Sequence, residues 1–213
     1  DEPLAYMDAA LFGVQPTLWL QRITQPWLTD LLAFAYGSYF FTPAILGGLI
    51  YYHRRIAEFR EYMLAIVSTL YIGFLGYIVV PAIGPRHHLR WLYDAPSHLE
   101  GIFIYNRTAA VLDDLQAVNR DCFPSLHTGV STVMLIYAWR LRNAHPLGRV
   151  LFWIYLPLTV LLWFSTVYLR YHWVVDVFAG WALAILITTF VPLLERAWAG
   201  GRADAAPPPG RGA

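Results

Sequence analysis

Five stretches of this chain, residues 27–52, 62–83, 124–141, 150–169 and 173–194, are apolar over nearly the length a helix needs to cross a bilayer. A hydrocarbon core about 30 Å thick takes roughly 20 helical residues, because each adds about 1.5 Å. In that solvent every backbone N–H and C=O must be satisfied internally, so the stretches are expected as α-helices. Composition agrees: the 213 residues are 58% apolar and 14% charged, more apolar surface than a soluble domain of this size can enclose. Nine Trp and fourteen Tyr are the residue types that favour the headgroup level. A net charge of +1 gives none of the basic field of a nucleic-acid-binding domain. The expected fold class is all-α, an integral membrane helical bundle with about five transmembrane helices. The chain starts at Asp1 rather than Met, so a signal peptide or a sixth helix upstream stays open.

Residues 1–26 are too short and too interrupted to span and are expected as an interfacial amphipathic segment. Residues 27–195 form the membrane-embedded domain. Residues 196–213, rich in Pro, Gly and Ala, are expected as a disordered tail. Pro157 is expected to kink the fourth span. Orientation follows from the cations, which stay on the cytoplasmic side in short loops. Arg54, Arg55 and Arg60 follow the first span, Arg140, Arg142 and Arg149 follow the third, and Arg196, Arg202 and Arg211 lie in the tail. These segments alternate as cytoplasmic loops must. The connection over 84–123, whose four Arg are offset by acids that include Glu100 and Asp121, then lies outside with the turn at 170–172. The expectation is an integral protein of a bacterial-type plasma membrane with its C-terminus in the cytoplasm.

That topology gathers three polar groups on the outer face: Arg86, His87 and His88 after the second span, Ser125 and His127 entering the third, and Arg170, His172 and Asp176 between the last two. In "CFPSLHTG", Pro124 suits the first position of a helix. The N–H groups of Ser125, Leu126 and His127 are then expected to point outward, where a helix start binds phosphate. In "HWVVD", His172 and Asp176 are four apart and share a helical face. A carboxylate on one imidazole nitrogen fixes the tautomer and leaves the other nitrogen as base or nucleophile. Arg86 and Arg170 offer planar forks for phosphate oxygens. The set suits phosphoryl transfer through a phosphohistidine, where stabilising the equatorial oxygens does most of the work. His87, His88 and His98 read as interfacial residues, and Asp30 as a boundary residue. The single Cys122 excludes an internal disulfide and a Cys-based metal cage.

"CFPSLHTG" and "STVYLRYHWVVDVFAG" resemble the second and third motifs, P-S-G-H and S-R-x5-H-x3-D, of the type-2 phosphatidic acid phosphatase and haloperoxidase superfamily. Ser165, His172 and Asp176 fit the spacing of the latter, and a G-P-R precedes both. The resemblance covers roughly residues 79–180. It implies that His172 takes the phosphoryl group, that Asp176 orients it, and that His127 protonates the leaving alkoxide. Ser125 with nearby N–H groups, Arg86 and Arg170 are implied to hold phosphate oxygens, with neither metal nor cofactor. Three positions depart from the pattern. Val79 stands where the first motif has Lys, Thr166 where the third has Arg, and Leu126 where the second has Gly. Arg170 occupies a place that is often Gly. P-S-L-H together with L-R-Y-H-W-V-V-D looks like the branch that contains inositol phosphorylceramide synthase-type phosphotransferases, in which Arg170 takes over from the missing Arg.

The function expected is a membrane enzyme that hydrolyses or transfers a phosphate group of a lipid phosphate (phosphatidic acid, isoprenoid phosphate or phospholipid) at the outer face. Its partners are that lipid and the bilayer. An inositolphosphate-type headgroup transferase acting on a lipid alcohol is the nearest alternative. A proton-coupled transporter using His127, His172 and Asp176 is a second, weakened because all three sit at one membrane face. Zinc held by these residues, with His87 or His88, is a third; the neighbouring arginines repel a cation.

Overall fold

The computed structural model describes residues 1–93, 99–115, 120–143 and 146–204. His98 and the end of the tail, 205–213, lie outside the described residues. Those described are helical, without a strand. Helix α1 (Glu2–Phe12) and the short α2 (Pro16–Trp19) lead through a 3-10 turn into α3 (Pro26–Gly37). Next come α4 (Thr42–Tyr52) and α5 (Ile56–Val79). The following connection carries α6 (Pro85–His88) and α7 (Ile104–Leu115). The chain ends in α8 (Leu126–Leu141), α9 (Pro146–Tyr168) and α10 (Val174–Asp204).

Among the described residues, three helices are long and apolar enough to cross a membrane: α5, α9 from Gly148, and α10 as far as Trp198. The stretch read as a first span is a bent pair, with α3 and its 3-10 extension meeting α4 at 46°; taken as one span it makes a fourth. The remaining stretch is α8, whose 16 residues reach about 24 Å, short of a full bilayer core. Its place explains the length. Val130, Val133, Met134, Tyr137 and Ala138 are all buried, because α5, α9 and α10 pack around it. The lipid-like surface is carried by its neighbours, through Ile78 and Phe74 on α5, Trp153 and Ile154 on α9, and Phe190 and Leu193 on α10. Pro157 lies inside α9, and the helix continues through it.

α10 meets α8 where neither has bulk. A Cβ on Gly180 would stand 2.6 Å from the Ser125 carbonyl oxygen and 2.9 Å from Thr128 Cβ, so glycine lets the α8 start approach α10. At the same level α9 ends and α10 begins within five residues, as the sequence implied.

The N-terminal segment is tied to this junction. α1 turns Tyr6, Met7, Leu11 and Phe12 outward and buries Leu4, Ala5 and Asp8. The Asp8 carboxylate accepts from the backbone N–H of Val174 (2.8 Å) and Val175 (3.0 Å), two of the donors that the start of α10 leaves without a helical partner. Burial pushes the Asp8 carboxyl above its ordinary range, and these two N–H groups pull against that. Asp1 works alongside, accepting from Ile83 N (2.8 Å), Gly84 N (2.9 Å) and Trp173 Nε1 (3.2 Å). Asp30, read as a boundary residue, has a similar role: its carboxylate accepts from Ile102, Phe103 and Tyr105 N–H and fastens the start of α7 to α3.

Asp8→Ala strands two buried donors, which costs about 1–3 kcal/mol for such groups. The unfolding midpoint in detergent is expected to fall, less so for Asp8→Asn, which keeps one acceptor oxygen. Equal midpoints for the native protein and Asp8→Ala would show that Asp8 does not hold α10.

Candidate active site

The start of α10 brings His172 to the chain entering α8. His172 Nδ1 lies 2.9 Å from the Cys122 carbonyl oxygen. A carbonyl only accepts, so Nδ1 carries the hydrogen and the neutral ring presents a lone pair at Nε2. That nitrogen faces His127 Nδ1 at 3.4 Å. Since His172 Nε2 accepts, His127 Nδ1 donates. The side chain of His172 is buried, and it lines a cavity together with His127.

Asp176 stands behind this pair, in a different way from that expected. Its Oδ2 is 3.6 Å from His172 Nδ1, beyond a hydrogen bond. The same oxygen accepts from the Trp173 N–H and the Cys122 S–H, both at 2.8 Å. The Trp173 contact is the back-bond of a capping box at the start of α10. Orientation of His172 is thus shared, with the Cys122 carbonyl taking the imidazole proton and Asp176 fixing Cys122 and the turn. Burial, then the Asp176 carboxylate, push the Cys122 thiol up, which keeps it a donor. Cys122 was read from the sequence only as a cysteine without a partner; the signal that could have found it is its place just before Phe123-Pro124-Ser125.

The entry to α8 also differs in detail. The helix begins at Leu126, so Ser125 is its N-cap, and Pro124 lies outside the helix rather than at its first position. Ser125 Oγ accepts from Thr128 N at 3.3 Å, and Ser125 N donates to the Asp176 carbonyl at 3.1 Å. Ser125 is wholly buried, and its N–H is not among those pointing outward.

A cavity opens at this end of the bundle between Ile83, Arg86, His87, Asp121, Cys122, His127, Tyr171 and His172. Of the six residues singled out in the sequence, His127, His172 and Arg86 line it, and Asp176 lies directly behind. Ser125 and Arg170 do not line it. Arg86 donates to Tyr171 Oη at 2.9 Å and from its backbone N–H to the Arg170 carbonyl at 2.8 Å. Tyr171 stacks on Tyr36 (4.7 Å between centroids) and Tyr36 on His127 (4.4 Å), while Tyr39 packs against His127 at 4.3 Å. This aromatic ladder runs from the guanidinium to His127. Tyr36 and Tyr39 carried no sequence signal beyond an aromatic-rich span.

Arg170 has a left-handed backbone, φ 68°, which costs a non-glycine residue about 1–2 kcal/mol. That conformation suits a place where glycine is often found. Its guanidinium is buried over the Tyr93 ring, 3.8 Å from the centroid, and burial lowers its pKa from the ordinary value. Thr166, where an Arg was expected, is buried; its hydroxyl donates to the Trp163 carbonyl, and its own carbonyl accepts from the N–H groups of Tyr171 and His172. Gly84, φ 80°, lets the G-P-R turn lie against Tyr171, whose oxygen a Cβ would meet at 2.6 Å.

Ligating atoms of Cys122, His172 and Asp176 lie within 4.8 Å of one another, and their types suit zinc. In this arrangement they bond inward: the thiol donates to the carboxylate and the imidazole to the Cys122 carbonyl.

The geometry can be set beside known proteins. No solved structure matches the chain. It is similar to the phosphoinositol dihydroceramide synthase of Bacteroides thetaiotaomicron, 22% identical over 156 residues. The match covers 68% of this chain and 49% of the relative, so it spans about half of the relative's length. A family model for the PAP2 superfamily matches residues 2–190, a range that holds both histidines, the Asp8 tie and every helix around the cavity. That match and the paired histidines place this chain in the PAP2 superfamily, a family of lipid phosphatases and phosphotransferases.

Proposed function

We propose that the protein removes or transfers the phosphate group of a membrane lipid through a phosphohistidine formed on His172, at the outer face of a bacterial-type plasma membrane, without a metal. The observation that carries this reading is the tautomer of His172: the Cys122 carbonyl takes the Nδ1 hydrogen and leaves the Nε2 lone pair in the cavity. The Nε2 pair attacks phosphorus, and the bond from phosphorus to the leaving oxygen breaks with its electrons on that oxygen. His127, which carries a proton on both ring nitrogens once the phosphate is bound, supplies the proton that neutralises it and is left as the neutral ring. In the second half an acceptor hydroxyl gives its proton to His127 and its oxygen to phosphorus, and the N–P electrons return to Nε2. Water as acceptor makes a phosphatase, an alcohol a phosphotransferase. In-line displacement puts nucleophile and acid on opposite sides of phosphorus. The two facing nitrogens, at 3.4 Å, therefore separate as the phosphoryl group enters. Arg86 faces the same cavity and stabilises charge on the equatorial oxygens.

Location is supported by charge. The site lies at the end of the bundle where α5 finishes and α8 and α10 begin. Arg55, Arg140 and Arg196 gather round a second cavity at the opposite end, as cytoplasmic cations do. The same placement weakens a proton path, since the histidines occupy one end only. Transfer of an inositolphosphate-type headgroup to a lipid alcohol is the second reading, favoured by the name of the Bacteroides relative.

Purified protein offered phosphatidic acid, isoprenoid phosphates and phosphatidylinositol, with and without an acceptor alcohol, is expected to release phosphate or transfer a headgroup. His172→Ala abolishes this, and undiminished turnover in that variant sinks the reading. His127→Ala is expected to lose about 10²–10⁴-fold with poor leaving groups and much less with good ones; equal losses across leaving groups remove the acid role. Chelator leaves turnover unchanged, whereas a loss that added zinc restores overturns the metal-free mechanism.

A further inference from the structure

The cavity that takes the phosphate holds one arginine and one carboxylate. Arg86 and Asp121 both line it, so its one guanidinium is offset by one carboxylate. The cations that the motifs would otherwise bring are absent or lie elsewhere. Position 79 is Val, exposed at the end of α5. Position 166 is Thr, its hydroxyl bound to the Trp163 carbonyl. Arg170 is stacked on Tyr93 and does not line the cavity. A carboxylate is a poor neighbour for a phosphate, and more so for one with two charges than for one with one. Lipid phosphomonoesters carry about −1.5 to −2 at pH 7, because their second pKa is about 6. Phosphodiesters have no second acidic oxygen and carry one charge. A carboxylate also accepts hydrogen bonds from hydroxyls, which a headgroup or an acceptor alcohol supplies.

We propose that Asp121 is a specificity-determining residue, which opposes Arg86 and biases the cavity towards lipid phosphodiesters with a single negative charge and against phosphomonoesters such as phosphatidic acid. The inference rests on the reading of this cavity as the phosphoryl-transfer site and deepens it by naming the charge class of the substrate. Asp121 is half-buried in the connection before α8 and is not part of a helix, so its substitution removes no helical residue.

The test compares phosphatidylinositol with phosphatidic acid on the full chain in detergent micelles. kcat/KM is measured for the native protein, Asp121→Asn, Asp121→Ala and Asp121→Glu. Removing the carboxylate is expected to shift the ratio of the two values about two- to ten-fold towards phosphatidic acid in both neutral variants, as the loss of a partly screened like charge does. Asp121→Glu restores the native preference. An unchanged ratio in both neutral variants, or a shift towards the diester, overturns the role of Asp121. The same ratio is read as binding affinity in the His172→Ala background, where no chemistry is required. A ratio that shifts in binding while the native protein turns over neither lipid sinks the catalytic reading and leaves the charge selection standing. A ratio that stays put in binding and turnover alike removes the charge selection only.

Discussion

The site depends on one hydrogen bond, from His172 Nδ1 to the Cys122 carbonyl. It joins the turn between α9 and α10 to the segment entering α8, and it decides which nitrogen of His172 is available for chemistry. Everything nearby serves to keep the two segments at that distance. The Ser125 N–H reaches the Asp176 carbonyl, the Cys122 thiol reaches the Asp176 carboxylate, and the Thr166 carbonyl closes the turn on Tyr171 and His172. Gly180 and Gly84 remove the side chains that would hold the segments apart. Because the turn is buried inside the protein, its many donors persist there only if each finds an acceptor.

Four acids in this protein serve as acceptors for backbone N–H groups. Asp8 and Asp1 collect N–H groups at the start of α10 and in the G-P-R turn, Asp30 collects three at the start of α7, and Asp176 takes the N–H of Trp173. Each gathers donors that a helix or turn would otherwise leave bare. Asp121 is different. It lines the cavity together with Arg86.

Much of the architecture was legible because it rests on patterns with a single physical meaning. Apolar runs near 20 residues predicted α5, α9 and α10, whereas the helical face expected to be shared by His172 and Asp176 does not form, because α10 starts only at Val174. Reading 27–52 as one span missed the 46° bend at Phe41, and reading 124–141 as an equal member of the bundle missed that α8 is short and enclosed. Run length counts apolar residues, and a helix buried by its neighbours is as apolar as one facing lipid. The site was legible in part. His127, His172 and Arg86 meet as the motifs suggested, whereas Arg170 turned onto Tyr93 and the Ser125 hydroxyl onto Thr128 N–H. A motif specifies where a residue stands along the chain, and the side chain then takes whichever partner lies closest in space.

The sequence by itself determined that this chain is a membrane bundle and that its polar residues collect at one end. Both follow from solvent preference and helical periodicity, which act locally. The tertiary structure alone decided that Cys122 and not Asp176 takes the His172 proton, that Asp8 closes the start of α10 from 166 residues away, and that Asp121 shares a cavity with Arg86. These depend on distances of about 3 Å between segments far apart in sequence, and no local rule of composition or spacing encodes a distance of that kind.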